Sequence, residues 1–422
     1  MVRPLPIRKG GQHLRRLGAD PEEHPGAANA RPTEGGDGVT AALLPPPAPE
    51  AAAPELRAQV RDFLAAERDA GTFTPRCDAW LAGWDPEFSR KLAERGWLGM
   101  TLPKAYGGHE RSTLERYAVT EELLAAGAPV AAHWIADRQI GPSLLRYGTE
   151  EQRQRYLPAI ARGECFFAIG MSEPDSGSDL ASVRTKATRV DGGWRLDGTK
   201  VWTSGAHHAH AFFVLARSTP LAEAPNRHAG LSQFVVPLDS PGVEIRPIPL
   251  LTGERHFNEV HLDGVFVPDA MVLGAIGAGW HQVTSELAFE RSGPERFLST
   301  YPVLTALVDA LSQRSGPEHS IALGGLIARL WTLRRMSLAI AASLADGVAQ
   351  EVPAALVKDL GTRFENEVVN AAQLLLAVEP DPAADGVARL LAEAVLHAPG
   401  FTIRGGTSEV LRSMVARGMG LR

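Results

Sequence analysis

At 422 residues, with 44% apolar and 22% charged side chains, the chain has the composition of a soluble globular enzyme and the length for two or three domains. A net charge of −6 argues against nucleic acid as the main partner, because phosphate binding needs a basic face. Two cysteines, Cys77 and Cys165, argue against a disulfide framework or a cysteine-built metal site and suit a reducing cytoplasm, and no apolar run reaches the roughly 18 residues that cross a bilayer.

Residues 1–53 read as a disordered Pro/Gly/Ala-rich tail, exemplified by "PTEGGDGVTAALLPPPAPEAAAPE". Its basic opening, "MVRPLPIRKGGQHLRRLG", raises a transit peptide, but Pro4, Pro6 and the lack of serine favour an unstructured extension or a misplaced start. Residues 54–164 carry a helical period. Leu56, Val60, Phe63 and Leu64 form one stripe, Phe88, Leu92 and Leu98 another, and "TEELLAAGAP" and "EEQRQRYLPAIARG" give further helices.

The period changes over 165–275, where "FFAIGMSE", "GWRLDGTKVWTSG", "AFFVLARST", "LSQFVVPLD", "VEIRPIPL" and "NEVHLDGVFVP" are strand-length pieces. Asp197-Gly198 between two of them signals a hairpin turn. Helices return over 276–422, with "LGGLIARLWTLRRMSLAIAASLADG" the most apolar and "PDPAADG" a break near 380. The order of helices, strands and helices is an α+β multi-domain pattern, without βαβ alternation, a Rossmann fingerprint, a P-loop, a G-x-S-x-G elbow or an H-E-x-x-H pair.

Three stretches carry candidate chemistry. In "GMSEPDSGSDLAS", residues 170–182, Ser172, Ser176, Gly177 and Ser178 offer hydroxyls and N–H groups without bulk, as flavin edges or phosphates require. The same composition also serves an ordinary turn. In "TKVWTSGAHHAH", residues 199–210, Trp202 can lie against a flat aromatic ligand while Thr203 and Ser204 supply hydroxyls. His207, His208 and His210 match no standard metal spacing, so no metal is expected. In "TIRGGTSEVLR", residues 402–412, two glycines precede a short helix striped by Val410, Leu411, Met414 and Val415 and closed by Gly418, a start that leaves N–H groups free.

Taken in order and spacing, "SEPDSGSD", "GTKVWTSGA", "VFVPDAMVLG" and "IRGGTSEVLRSMVARGMGL" resemble the signatures of the acyl-CoA dehydrogenase family of flavoproteins, from about residue 55 to the C-terminus. "YGTEEQRQRYLPAIARGE" and "LTGERHFNEVHLDGVFVP" extend the likeness. The resemblance implies an N-terminal helical domain, a middle β-barrel-like domain and a C-terminal four-helix bundle, with FAD in a cleft among them and a second subunit closing the site. It places Met171, Ser172, Trp202, Thr203 and Ser204 at the flavin ring and Ser178 where phosphates and the CoA ester approach. Gly406, Thr407 and Glu409 fall in the family's FAD-binding C-terminal loop. The implied reaction is α,β-dehydrogenation of an acyl-CoA to the 2-enoyl-CoA, with electrons passed to an electron-transferring flavoprotein, by a homodimer, homotetramer or heteromer in the cytoplasm.

Many members carry the catalytic glutamate directly before this loop's Gly-Thr, where Gly405 stands here. Glycine has no proton acceptor, so either another carboxylate acts or the protein is not a dehydrogenase. A minority branch carries the base on the first long helix after the β domain, and Glu290-Arg291 in "SELAFERSGPERF" resembles that branch's Glu-Arg pair. Glu290 is thus the expected base, Arg291 a substrate-positioning residue and the Gly405 N–H a donor to the thioester carbonyl. Glu286, one turn earlier, is a second contender, and an ordinary helix-face ion pair is the alternative for Glu290.

Two family segments are absent. No Arg-x-x-Phe-Gly stands between Leu311 and Leu326, and "LLLAVEPDPAADG" replaces Gln-x-x-Gly-Gly-x-Gly. Both serve the adenine and pyrophosphate end of FAD. Two other readings therefore stand beside the dehydrogenase: a non-catalytic subunit of a heteromeric dehydrogenase, and a related oxygen-using oxidase or flavin monooxygenase.

Overall fold

The computed structural model describes residues 53–312, 316–345 and 350–421, apart from the side chains of 286–290. The expected N-terminal tail lies outside the described residues, as do the Glu286 and Glu290 carboxylates.

The N-terminal helices are α1 (Pro54–Asp69), α2 (Ala79–Ala82), α3 (Pro86–Glu94), α4 (Thr113–Ala125), α5 (Ala131–Ile135), α6 (Gly141–Tyr147) and α7 (Glu150–Ala161). Their starts follow local chemistry. Asp85 accepts from the Phe88 N–H at 2.9 Å with Pro86 in the first turn of α3, and Ser112/Glu115 and Thr149/Gln152 close capping boxes on α4 and α7. A π-helical turn, Ala136–Ile140, joins α5 to α6.

The strands are β1 (Phe167–Gly170), β2 (Lys186–Val190), β3 (Gly193–Lys200), β4 (Ala211–Arg217), β5 (Leu231–Pro237), β6 (Val243–Ile248), β7 (Phe257–Pro268) and β8 (Val272–Leu273). They form one sheet in the order β6-β7-β3-β2-β4-β5-β8, with β1 parallel to β4. β4 is buried along its whole length because both its faces are covered. Phe212 and Val214 pack with Trp194, Leu196 and Phe234, whereas Ala211 and Phe213, on the opposite face, pack with Phe167 and with Leu144, Tyr156 and Leu157 of the N-terminal helices.

Asp197-Gly198 does not make the expected hairpin. β3 runs through both residues with a register shift between Leu196 and Gly198, and the Asp197 carboxylate accepts from the Gly264 N–H at 2.8 Å. This glycine marks a bulge. The β2–β3 turn lies one Asp-Gly earlier, at Asp191-Gly192, between the paired Val190 and Gly193.

The C-terminal helices are α8 (Gly279–Glu290), α9 (Tyr301–Ser312), α10 (Pro317–Ala345), α11 (Glu351–Leu375), α12 (Gly386–Phe401) and α13 (Ser408–Gly418). Their core is continuous with that of the N-terminal helices: Val60, Phe63, Trp80 and Phe88 share one cluster with Phe297, Leu307, Phe364, Leu391 and Phe401. The α10 helix also meets α4 through Arg334, which donates from Nε to Glu121 at 2.7 Å. No helix among the described residues is long and apolar enough to cross a membrane.

Candidate active site

The first two sequence motifs meet at the ends of β1 and β3. The Val201 N–H donates to the Ser172 carbonyl at 2.9 Å, and the Lys200 ammonium donates to the Met171 carbonyl at 3.1 Å. Lys200 is fully buried and pairs with Glu173 at 2.9 Å; Glu173 also accepts from the N–H groups of Arg184 and Thr185 at 2.7 and 2.8 Å. Burial alone would raise Glu173, but Lys200 and these donors hold it below the usual carboxylate range. Burial brings Lys200 down to about 8 against the pull of Glu173. This ion pair fixes the backbone that presents Met171 and Ser172.

The turn after β3 is pinned on alternate residues. Thr203 N–H donates to Asn258 at 3.0 Å, the Asn258 amide returns a bond to the Thr203 carbonyl at 2.9 Å, and Gly205 N–H donates to His256 at 2.7 Å. Between these anchors Trp202 is held at φ 60°, 54% exposed, with its ring edge-on to Phe257. A left-handed backbone is unusual for an aromatic residue and persists only where its surroundings enforce it. Next to it the Thr203 hydroxyl is buried without a hydrogen-bond partner among the described residues, and Ser204 is half-buried.

Ser178 stands exposed on the loop beyond the Glu173–Ser176 bridge. The three histidines are packing residues: His208 stacks on Trp84 with centroids 5.0 Å apart, His207 lies against His208, and His210 Nδ1 accepts from the Phe166 N–H at 3.1 Å.

The C-terminal loop forms the other half. Gly405 and Gly406 take φ of 67° and 107°, and the Thr407 hydroxyl caps α13 by accepting from the Val410 N–H at 3.4 Å. Among the described residues the N–H groups of Gly405, Gly406 and Thr407 make no hydrogen bond, leaving three successive donors. Glu409 is exposed in the first turn of α13.

Two buried cations back this loop. The Lys358 ammonium donates to the Gly406 carbonyl at 2.9 Å and to that of Phe401 at 3.3 Å. Burial, reinforced by Arg296 and Arg404, brings Lys358 down to about 7. The fully buried Arg296 guanidinium lies under Gly405, over the Trp80 ring at 5.1 Å. Arg291 reaches Met414 of α13, with Nη1 3.4 Å from the sulfur, so the end of α8 lies against the helix that follows the loop.

No hydrogen bond among the described residues joins the Met171–Ser204 half directly to the Gly405–Glu409 half. The loop between β6 and β7 links them. The His256 carbonyl holds Gly205, while Glu254 approaches His397 of α12 at 3.4 Å and pairs with Arg76. Asp78 completes the junction by pairing with Arg404 and facing His397 at 3.8 Å.

Sequence reasoning quoted Glu173, Lys200 and Arg296 without giving them roles, and missed Lys358. A lysine amid the apolar stretch "AALVKDLG" was the available signal for Lys358.

An exposed, strained tryptophan beside an orphaned buried hydroxyl, and a glycine loop with three spare donors, suit a flat, polar-rimmed cofactor such as a flavin. Comparison with known proteins agrees. The model of the acyl-CoA dehydrogenase N-terminal domain matches residues 51–164, and that of the middle domain matches 168–265. Acyl-CoA dehydrogenase IpdE1 of Mycobacterium tuberculosis is 34% identical over 373 residues, covering 86% of this chain and 96% of that protein. FadE34 of the same organism is 38% identical over 345 residues, 78% of this chain, but the chain spans only 46% of FadE34.

Among solved structures, the Tcur3481-Tcur3483 steroid ACAD superposes with a TM-score of 0.78 at 30% identity, over 87% of this chain and 97% of that one. The ChsE4-ChsE5 complex from Mycobacterium tuberculosis gives 0.74 at 28% identity, over 87% and 97%. These matches and the fold together show that the chain belongs to the acyl-CoA dehydrogenase family, whose members are FAD-dependent oxidoreductases.

Proposed function

We infer that the chain acts in α,β-dehydrogenation of an acyl-CoA thioester to the 2-enoyl-CoA, with Glu290 as the base that takes the α-proton. FAD, when bound, supplies the acceptor for the hydride leaving the β-carbon. The chain itself holds, polarises and deprotonates. Met171, Ser172, Trp202, Thr203 and Ser204 would hold the flavin ring, with Gly406, Thr407 and Glu409 closing the loop side and Ser178 towards the phosphates and the CoA ester. The Gly405 N–H donates to the thioester carbonyl, so the negative charge that builds on that oxygen as the proton leaves meets a fixed dipole. Lys358 holds the loop in the shape that presents this donor. Arg291, seated on Met414, positions the substrate.

The observation that carries this reading is the crowding beneath Gly405. Gly405 itself offers no base, and a β-carbon there would stand 2.9 Å from Arg296 Nη1, so any side chain at this position must displace that buried guanidinium. The Glu-Arg sequence at the end of α8 then supplies the carboxylate base, and Arg291 ties that end to α13, the helix that follows the loop. Electron-transferring flavoprotein is the proposed electron acceptor. The steroid ACAD among the solved relatives supports a steroid-derived or otherwise bulky acyl group.

Anaerobic mixing of the FAD-loaded protein with a panel of straight, branched and steroid side-chain acyl-CoAs tests this. Bleaching of the flavin is expected, with Glu290→Gln slowing it by about 10²–10⁴-fold. Full turnover by Glu290→Gln would remove Glu290 as base, and peroxide formation in air would favour the oxidase alternative.

A second reading has its own support. The Arg-x-x-Phe-Gly and Gln-x-x-Gly-Gly-x-Gly segments are absent, and the two structural relatives reported above are named as two-component proteins. On that reading the chain is one subunit of a heteromer whose partner holds the adenine end of FAD. A purified chain that is colourless alone and yellow when co-purified with a partner would establish it.

A further inference from the structure

A small pocket lies between α4, α10 and the turn that follows α8, with room for one carboxylate or a pair of waters. Its walls include Arg116, Tyr117, Arg138, Ser292, Pro294 and Ser337. The two guanidiniums differ in their bonding. Arg138 is committed to the protein: it donates to the Thr120 hydroxyl at 3.2 Å and to the buried Glu295 carboxylate at 3.3 Å, and lies over the Trp134 ring at 4.5 Å.

The half-buried Arg116 guanidinium makes no ion pair and no side-chain hydrogen bond among the described residues. Two carboxylates lie near it, and both are engaged elsewhere. Glu295 pairs with Arg138, and Asp137 accepts from the Gly99 N–H at 2.7 Å. Burial and the neighbouring Arg138 bring Arg116 down to about 10, so it is still a cation at neutral pH. A guanidinium lining a protein pocket without a carboxylate is an open fork for one.

The pocket is also close to the proposed chemistry. Ser292 and Pro294 in its wall come two and four residues after Glu290, and the turn continues into Arg296 beneath Gly405. Two residues span at most about 7 Å, so the wall begins within that distance of the α8 terminus, measured between α-carbons.

The geometry points to a substrate-specificity site: Arg116 binds a carboxylate carried at the far end of the acyl group, so the preferred substrates are ω-carboxyacyl-CoA thioesters. This rests on the acyl-CoA reading above. The test compares binding of adipyl-CoA with hexanoyl-CoA, which differ only in the distal carboxylate, by calorimetry on the FAD-loaded protein, with free adipate and inorganic sulfate as separate arms. Wild-type protein should bind adipyl-CoA at least about tenfold more tightly than hexanoyl-CoA, as a charge-assisted bond provides. Arg116→Met should erase that preference and leave hexanoyl-CoA affinity unchanged, whereas Arg116→Lys should retain part of it.

Thermal melts of both variants confirm folding, and an unpaired arginine leaves no buried partner stranded when it is replaced. Equal binding of the two thioesters by wild type, or a preference that survives in Arg116→Met, overturns the inference while leaving the dehydrogenase reading in place. Free adipate or sulfate binding as tightly as adipyl-CoA overturns it in favour of an independent anion site. Binding of neither thioester defeats the acyl-CoA reading, and this inference with it.

Discussion

The Arg296 guanidinium lies under Gly405 with Nη1 2.9 Å, and Cζ and Nη2 3.0 Å, from the place where a β-carbon on that glycine would stand. Real β-carbons are essentially never closer, and the φ of 67° adds strain for any side chain. Gly405→Ala should therefore lower stability by about 1–3 kcal/mol in urea unfolding. Gly405→Glu should fail to restore turnover to a Glu290→Gln protein. In a double-mutant cycle with Arg296→Ala, the Gly405→Ala cost should shrink by more than about 0.5 kcal/mol, as expected of residues sharing one space. Strict additivity would show that Arg296 and Gly405 do not compete for it.

The pH dependence of stability should reveal Lys358. Its pKa falls from 10.5 in a free lysine to about 7 in the fold, chiefly by burial and then by Arg296 and Arg404. Between about pH 7 and 10.5 the unfolded chain binds a proton that the folded chain has released, so this group makes stability rise with pH in that window and contributes no slope below it. The slope is at most about 1.4 kcal/mol per pH unit. Lys358→Met should remove the wild-type rise in urea midpoint between about pH 7 and 8, below the range where Lys200 adds a slope of the same sign. It should also lower stability at pH 7, because the Gly406 and Phe401 carbonyls lose their donor. An unchanged slope in Lys358→Met would assign the titration to another group.

Asp78 joins the N-terminal segment to the C-terminal loop through Arg404, whose guanidinium also donates to Ser299 at 2.7 Å and lies over Trp80 at 4.9 Å. Burial would raise Asp78, but Arg404 and the nearby His397 and His256 hold it below the usual range. Asp78→Asn should cost about 3–5 kcal/mol at neutral pH, since it leaves a buried guanidinium short of its counter-charge. A loss under about 1 kcal/mol in chemical denaturation would mean that Glu365, 3.4 Å from Arg404, takes over the pairing.

The parts of this architecture legible in the sequence were those with a local cause. Leu56, Val60, Phe63 and Leu64 fall on one helix face by spacing alone and are all buried. Met171 and Trp202 lie in motifs that follow β1 and β3, strands that do not pair with each other, and the Val201–Ser172 bond brings those motifs together. Asp197-Gly198 misled because the same dipeptide serves a bulge as well as a hairpin, and only pairing with β7 distinguishes the two. Two short strands, Lys186–Val190 and Val272–Leu273, carried too few alternating residues to announce themselves. Arg296 beneath Gly405 is a contact across 109 positions, set by tertiary packing that no window of sequence contains.

The Thr203 hydroxyl provides the most direct test of the flavin cradle. It is fully buried and has no hydrogen-bond partner among the described residues, while the Thr203 N–H and carbonyl are both paired with Asn258. An unsatisfied buried hydroxyl destabilises the protein that carries it, so Thr203→Val, which keeps the shape and removes the polar atom, should leave the melting temperature of the cofactor-free protein unchanged or higher. If the hydroxyl is kept for the flavin rim, the same substitution should weaken FAD binding by roughly five- to tenfold, the worth of about 1 kcal/mol for one hydrogen bond. Quenching of flavin fluorescence measures that affinity directly, without turnover. A Thr203→Val protein that binds FAD as tightly as wild type would place this hydroxyl outside the cofactor's reach, and the strained Trp202 beside it would then need a different explanation.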